Sequence, residues 1–368
     1  MRLLVWSEAE AFGGHECMAV ELINGLNKDF GVEVRWRIHP GNKRLRAAID
    51  PHQPVVDLPR PSWPDRIWRG FVGELRVAFR AAVAAEQPDV VMAIPGWPTG
   101  SATPAFAGGS VPLVVYVPNG PRGGGVVSIL KRRASSLVLN QAQLVVTCAE
   151  AVAGHLRRCT TSPVMVVENF VDAPVPMVPI LRERPAIGLV GRVDLPVKGH
   201  AVLVEALRLD SALLSLVDVL VIGTGPDELR LQTMIARSGL ADRVVSLGWL
   251  PPIDAYARLD AVAMPSFLEG APLVAIEACQ RSLPVIGSAL PELDPYTKPE
   301  LRFPVGSAFG LASAIRRWLV CRRDPQFCGW LEAQAQVVRQ RHDRRRAIST
   351  LHRHLATLTT GRTGTPFI

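Results

Sequence analysis

Short apolar runs and helical patterns alternate along this chain from its first residue. Arg2 to Trp6 reads as a buried strand, Gly13-Gly14 as a turn, and Glu16 to Leu26 as a helix. Further strand-like runs follow at Glu33 to Ile38, Val90 to Ile94, Leu113 to Val117, Leu144 to Thr147 and Val164 to Val167. Continuous apolar runs, such as those after Glu33 to Ile38, suit parallel strands covered on both faces. Helical segments between them suit βαβ crossovers.

Residues 173–185 interrupt the alternation. Pro174, Pro176, Pro179 and Pro185 fall in a stretch without helical period, the composition of a linker. A second series then starts. Strands are predicted at Ile187 to Val190, Val217 to Ile222, Val244 to Leu247, Ala261 to Met264 and Leu283 to Ile286. Helices are predicted at His200 to Leu207, Glu228 to Arg237 and Leu273 to Cys279. The fold class is therefore α/β. The expected organisation is a first Rossmann-like domain over 1–172, a linker over 173–185 and a second Rossmann-like domain over 186–344. A last helix, about 345–368, is expected to pack back on the first domain. A chain of 368 residues exceeds what one hydrophobic core usually serves, which agrees with two domains. In open sheets of this kind, ligands bind at the carboxyl edge of the strands.

Composition narrows the partners. With 48% hydrophobic and 20% charged residues the chain is globular. It has no apolar run of the roughly 20 residues that span a bilayer. The first residues resemble a strand more than a signal peptide, so a cytoplasmic location is expected. The six cysteines form no CxxC pair and read as free, mostly buried thiols. The net charge of +8 favours an anionic partner. Only 6% of residues are aromatic, and no basic stretch is interleaved with them. This argues against a stacking platform for single-stranded nucleic acid. What remains is a phosphate-bearing substrate and peripheral contact with an anionic membrane, with no nucleic acid. Trp63, Trp68 and Trp97 read as packing residues ahead of sugar contacts.

Two loops concentrate the chemistry. In Glu269-Gly270-Ala271-Pro272-Leu273-Val274-Ala275-Ile276-Glu277, the acidic residues lie eight apart across a loop and a helix start. N–H groups at a helix start can hold a phosphate, and the flanking carboxylates can accept hydrogen bonds from hydroxyls. In Gly191-Arg192-Val193-Asp194-Leu195-Pro196-Val197-Lys198-Gly199-His200, two cations sit at the carboxyl end of a strand. Fixed cations stabilise the charge that develops on a departing diphosphate. Arginine binds such a group bidentately and lysine as a point charge. The pattern Gly223-Thr224-Gly225 lacks a third glycine for a dinucleotide fingerprint, the 191–199 loop lacks the GK[ST] of a P-loop, and His15-Glu16 lacks a second histidine at position 19.

Taken in order, the GR…KG loop (191–199), Val221-Ile222-Gly223-Thr224-Gly225-Pro226, Gly248-Trp249-Leu250 and the E-x7-E segment resemble the retaining glycosyltransferases of family 4 over roughly 187–295. Glu168-Asn169-Phe170-Val171-Asp172 is similar to the family's N-G-V-D, with Phe170 in place of the glycine. The resemblance implies a GT-B fold, with two parallel sheets facing across an interdomain cleft. It implies transfer of a hexose or N-acetylhexosamine from a nucleotide sugar to a glycan or glycolipid, in polysaccharide or lipopolysaccharide synthesis. Arg192 and Lys198 would hold the diphosphate, and Glu269 would face the transferred sugar. Glu277 would bind the ribose hydroxyls. Gly13, Gly14, Gly223, Ala271, Pro272, Leu273 and Val274 would line the sugar and phosphates, and Trp249 and Leu250 the base. His15 and Asn119 fall on the acceptor side, Asn119 where many relatives carry a histidine. No cofactor and no metal are implied. Two other functions fit the fold: a non-catalytic binding or scaffold subunit, and a UDP-sugar epimerase.

Overall fold

The computed structural model describes residues 1–9, 14–59, 73–94, 102–107, 111–118, 133, 135–171 and 184–360. The chain divides into two compact units. One comprises Met1–Asn169 together with the chain from Arg344 onward, and the other comprises Phe170–Asp343.

The first unit is built on a sheet of seven parallel strands. In chain order these are β1 (Arg2–Ser7), β2 (Glu33–Ile38), β3 (Val55–Asp57), β4 (Val90–Ala93), β5 (Leu113–Tyr116), β6 (Leu144–Thr147) and β7 (Val164–Val166). In space they run β3-β2-β1-β4-β5-β6-β7. Trp6 on β1 packs edge-on against Phe79, ring centroids 5.1 Å apart, and donates its indole N–H to buried Glu8 at 2.8 Å. The helix Arg344–Thr360 lies on the helix Gly14–Phe30. Ile348 seats over Gly25, His352 stacks on Phe30 and Arg344 pairs with Asp29 at 3.0 Å.

The second unit carries six parallel strands: β8 (Ala186–Val190), β9 (Asp218–Ile222), β10 (Val244–Gly248), β11 (Ala261–Met264), β12 (Val285–Ser288) and β13 (Arg302–Phe303). Their order is β10-β9-β8-β11-β12-β13, the doubly wound order with a topological switch between β8 and β11. Alternate residues of the inner strands feed two cores. On β9, Val219 and Val221 face one core while Leu220 and Ile222 face the other. On β11, Ala261 and Ala263 divide from Val262 and Met264 in the same way. This is why the strands are apolar throughout instead of alternating.

Two sequence expectations change here. Only Cys148 and Cys279 of the six free cysteines are buried, so the thiols are not mostly internal. His15, which falls between the predicted turn at Gly13-Gly14 and the predicted helix start at Glu16, lies in the first turn of the helix Gly14–Phe30. That helix starts two residues before the predicted Glu16, whose acidic side chain suits a first turn. Gly13, Asn119, Trp63, Trp68, Trp97 and most of the 173–185 segment lie outside the described residues, as do the side chains of Gly14 and His15.

Candidate active site at the carboxyl edge of the second sheet

The switch between β8 and β11 brings together loops that are far apart in sequence. After β8 the chain forms residues 191–194 and the short helix Leu195–Lys198. Asp194 caps this helix by accepting from the Val197 N–H at 3.2 Å, and Pro196 sits in its first turn. The loop after β9 is tied to it by the Gly191 N–H donating to the Ile222 carbonyl at 2.9 Å and the Val193 N–H to the Thr224 carbonyl at 3.0 Å. Gly223 has φ +140° and closes the approach. A Cβ there would stand 1.9 Å from the Gly191 carbonyl oxygen, so packing alone requires glycine. The loop after β11 is joined by the Phe267 N–H donating to the Val197 carbonyl at 2.9 Å.

These ties set Lys198 against Glu269. The ammonium donates to Oε1 at 2.8 Å and to Oε2 at 3.0 Å. Ser266 donates its hydroxyl to Oε1 at 2.6 Å. The Glu269 side chain is 5% exposed and that of Lys198 is 25% exposed, which leaves the cation accessible at the sheet edge. Arg192 does not join this pair. It bonds Asp194 at 2.6 Å with 63% of its side chain in solvent. An exposed pair of this kind holds weakly, so the guanidinium is released from Asp194 at little cost. His200, next to Lys198 in the fold, is buried. Desolvation, and secondarily the charge of Lys198, lower its pKa to about 4, so at neutral pH it adds no cation to the loop.

The helix Leu273–Gln280 opens at Pro272, whose carbonyl accepts from the Ala275 and Ile276 N–H groups at 3.0 and 3.1 Å. The N–H groups of Leu273 and Val274 fall in the first turn, where a helix has no internal acceptor to offer. Val274 lies beside Gly191: a Cβ on Gly191 would be 3.8 Å from its Cγ2. The helix start therefore borders the 191–199 loop. Glu277, one turn on, is partly buried, and burial raises its pKa. Tyr256 donates its hydroxyl to Glu277 Oε2 at 2.5 Å. Trp249, 69% exposed, and Leu250 follow Gly248 at the end of β10.

The structure thus brings Lys198, Glu269, Gly191 and the 271–274 segment to one edge. Sequence reasoning missed Ser266 and Tyr256. Ser266 was within reach, three residues before Glu269 in the same motif. Tyr256 carried no local signal, because it meets Glu277 only through tertiary packing.

Two units, each an all-parallel doubly wound sheet, are the architecture of the GT-B glycosyltransferases. The sequence matches the model described as Glycosyltransferase Family 4 over residues 12–174, and that described as Glycosyl transferases group 1 over residues 184–320. The chain belongs to this family and is a glycosyltransferase. Among solved structures it is similar to Anabaena HepE in complex with UDP and glucose, at 18% identity over 97% of this chain and 99% of that one, with a TM-score of 0.77. It is similar to a sucrose-phosphate synthase from Thermosynechococcus elongatus, at 18% identity over 98% and 99%, TM-score 0.77. It is also similar to WaaG, a glycosyltransferase involved in lipopolysaccharide biosynthesis, at 14% identity over 95% and 98%, TM-score 0.70. No curated protein sequence matches the chain.

Proposed function

We propose that this enzyme transfers a hexose or N-acetylhexosamine, with retention of configuration, from a nucleotide sugar to a glycan or glycolipid of a cell-surface polysaccharide or lipopolysaccharide. The observation that carries the reading is the contact of Lys198 with Glu269 at the switch between β8 and β11. It sets one accessible cation beside one buried carboxylate, next to a helix start. Arg192 and Lys198 bind the donor diphosphate, with the N–H groups of Leu273 and Val274 and the backbone of Ala271 and Pro272 beside it. Glu269 accepts hydrogen bonds from the sugar hydroxyls, and Glu277 from the ribose hydroxyls. Gly223 shapes the loop, and Trp249 and Leu250 line the base.

The C1–O bond to the diphosphate breaks as the acceptor oxygen bonds C1 from the same face, and the leaving phosphate oxygen takes the acceptor's proton. The two cations neutralise the departing charge, so the reaction needs no metal. Support for a uridine donor and a surface-glycan acceptor comes from the similar proteins. HepE is described with UDP and glucose, and WaaB as a lipopolysaccharide outer core galactosyltransferase.

The test is thermal stabilisation by UDP-, GDP-, ADP- and dTDP-sugars in the presence of EDTA. A donor that binds only the folded chain adds about 2.7 kcal/mol at a hundredfold excess over Kd. One nucleotide sugar is expected to raise the melting temperature of the wild type and not that of Glu277→Ala, and the product is expected to keep the donor's anomeric configuration. Absence of a shift with every donor overturns the reading.

On the same reading the enzyme works at the cytoplasmic face of a membrane. No helix among the described residues is long and apolar enough to cross one. The helix Arg344–Thr360 instead turns Arg345, Arg346 and Arg353 to solvent, a basic face for anionic lipid. Binding to phosphatidylserine vesicles is expected at low ionic strength and should weaken steeply towards 0.15 M salt, where the Debye length is about 8 Å. Binding insensitive to salt removes this part of the proposal.

A further inference from the structure

Tyr256 ends the five-residue helix Pro252–Tyr256 and is fully buried in the core between that helix and Leu273–Gln280. Burying a phenol is acceptable only if its hydroxyl finds a partner. Here the partner is a carboxylate: the hydroxyl donates to Glu277 Oε2 at 2.5 Å. The ring is closed from another side by Arg281, whose guanidinium lies 4.8 Å from its centroid. Arg281 Nη1 donates in turn to the Glu277 carbonyl at 2.9 Å. From the helix Pro325–Arg341, Arg339 donates to the carbonyl of Gln280. Nothing in the donor chemistry above uses Tyr256 or Arg281, yet the structure places Tyr256 against the side chain assigned to the ribose and Arg281 against that residue's backbone carbonyl.

A glutamate has three rotatable side-chain bonds, and a carboxylate presents about four acceptor sites on two oxygens. A diol is recognised only when that carboxylate is held in one plane. We propose that Tyr256 is a positioning residue for donor recognition: its hydroxyl locks the plane of the Glu277 carboxylate and takes up one site on Oε2, which leaves Oε1 aimed at the vicinal diol of the nucleotide's pentose. This rests on the reading of Glu277 as the ribose contact. Burial raises the Glu277 pKa, while the Tyr256 bond and the Arg281 charge act against that rise. Burial also lifts the Tyr256 hydroxyl well above its ordinary range, so it stays a donor at every working pH.

The experiment compares uridine diphosphate with 2′-deoxyuridine diphosphate by calorimetry on the full chain, or the matching pair for whichever base the donor panel selects. The wild type is expected to prefer the ribonucleotide. Tyr256→Phe is expected to weaken ribonucleotide binding roughly fivefold or more, as for loss of a hydrogen bond to a charged group. It should barely change deoxynucleotide binding, so the preference collapses. Its acid limb of binding should move to higher pH, because Glu277 loses a bond that favours its charged form. The transfer rate at saturating donor should change much less than KM. In a Glu277→Gln background, Tyr256→Phe should add no further loss. A purely structural tyrosine would weaken both nucleotides equally and leave the preference intact, which overturns the proposal while the reading of the site stands. If the wild type binds neither nucleotide of any base, the reading of the site fails and the proposal falls with it.

Should Tyr256→Phe not fold, the unmutated chain gives the same answer. It has three tyrosines, so 3-fluorotyrosine labelling gives three fluorine signals. The expected result is one signal that moves with the ribonucleotide and not with the 2′-deoxynucleotide; signals that move alike with both, or with neither, overturn the proposal.

Discussion

Replacing Lys198 with alanine is expected to lower the turnover for sugar transfer by about two to three orders of magnitude, the usual cost of removing one fixed donor from a developing oxyanion. The ammonium sits 2.8 and 3.0 Å from the two oxygens of Glu269, so its loss acts twice. The departing diphosphate loses one of its two cations, and Glu269 loses the ammonium that neutralises it. A carboxylate whose side chain is 5% exposed then keeps its buried place without that cation beside it. Stability should fall by about 1–3 kcal/mol. That is less than the roughly 3–5 kcal/mol of a fully buried broken pair, because a quarter of the lysine side chain is already in water. Steady-state transfer and urea unfolding on the same preparation separate the two effects. A variant that turns over within tenfold of the wild type would remove Lys198 from the chemistry, whatever its stability.

That pair also shows where sequence reasoning stops. The two sheets are legible because most of their strands are apolar on both faces, and the predicted starts of most strands agree with the structure to within a residue or two. Strands β3 and β13 were missed: they have three and two residues, and both lie at the edge of a sheet. The helix Leu195–Lys198 has the sequence of a loop although Asp194 and Pro196 give a start signal, because four residues carry no period. Both motifs stood out by composition. That Lys198 touches Glu269 did not, since 71 residues separate them and only the placement of β8 beside β11 joins their loops. Tyr256 lies 21 residues before Glu277 and is tied to it by packing alone. Local chemistry can be read from the chain, but a contact that depends on strand order cannot.

The same junction makes Gly199 a position where a single methyl group should do heavy damage. It ends the helix Leu195–Lys198 and opens His200–Leu209 with φ +64°, a left-handed conformation that costs other residues about 1 kcal/mol. Space is the larger problem. A Cβ at Gly199 would stand 2.0 Å from the Pro265 carbonyl oxygen, 2.9 Å from its carbon and 3.4 Å from the Phe267 ring. The obstacle is backbone and cannot rotate aside, so one loop must leave the other. That separation breaks the bond from the Phe267 N–H to the Val197 carbonyl and draws Lys198 away from Glu269. Gly199→Ala is therefore expected to cost at least about 3 kcal/mol, in the range of strain plus overpacking, and to abolish transfer in whatever fraction stays folded. Gly239→Ala supplies the control. Gly239 has a closely similar φ of +68° with nothing within 4 Å of the added Cβ, so it should show the left-handed strain alone, about 1 kcal/mol, with transfer intact. Equal urea midpoints for the two variants would mean that the loops yield freely, and that the contact of Lys198 with Glu269 does not depend on the close approach at Gly199.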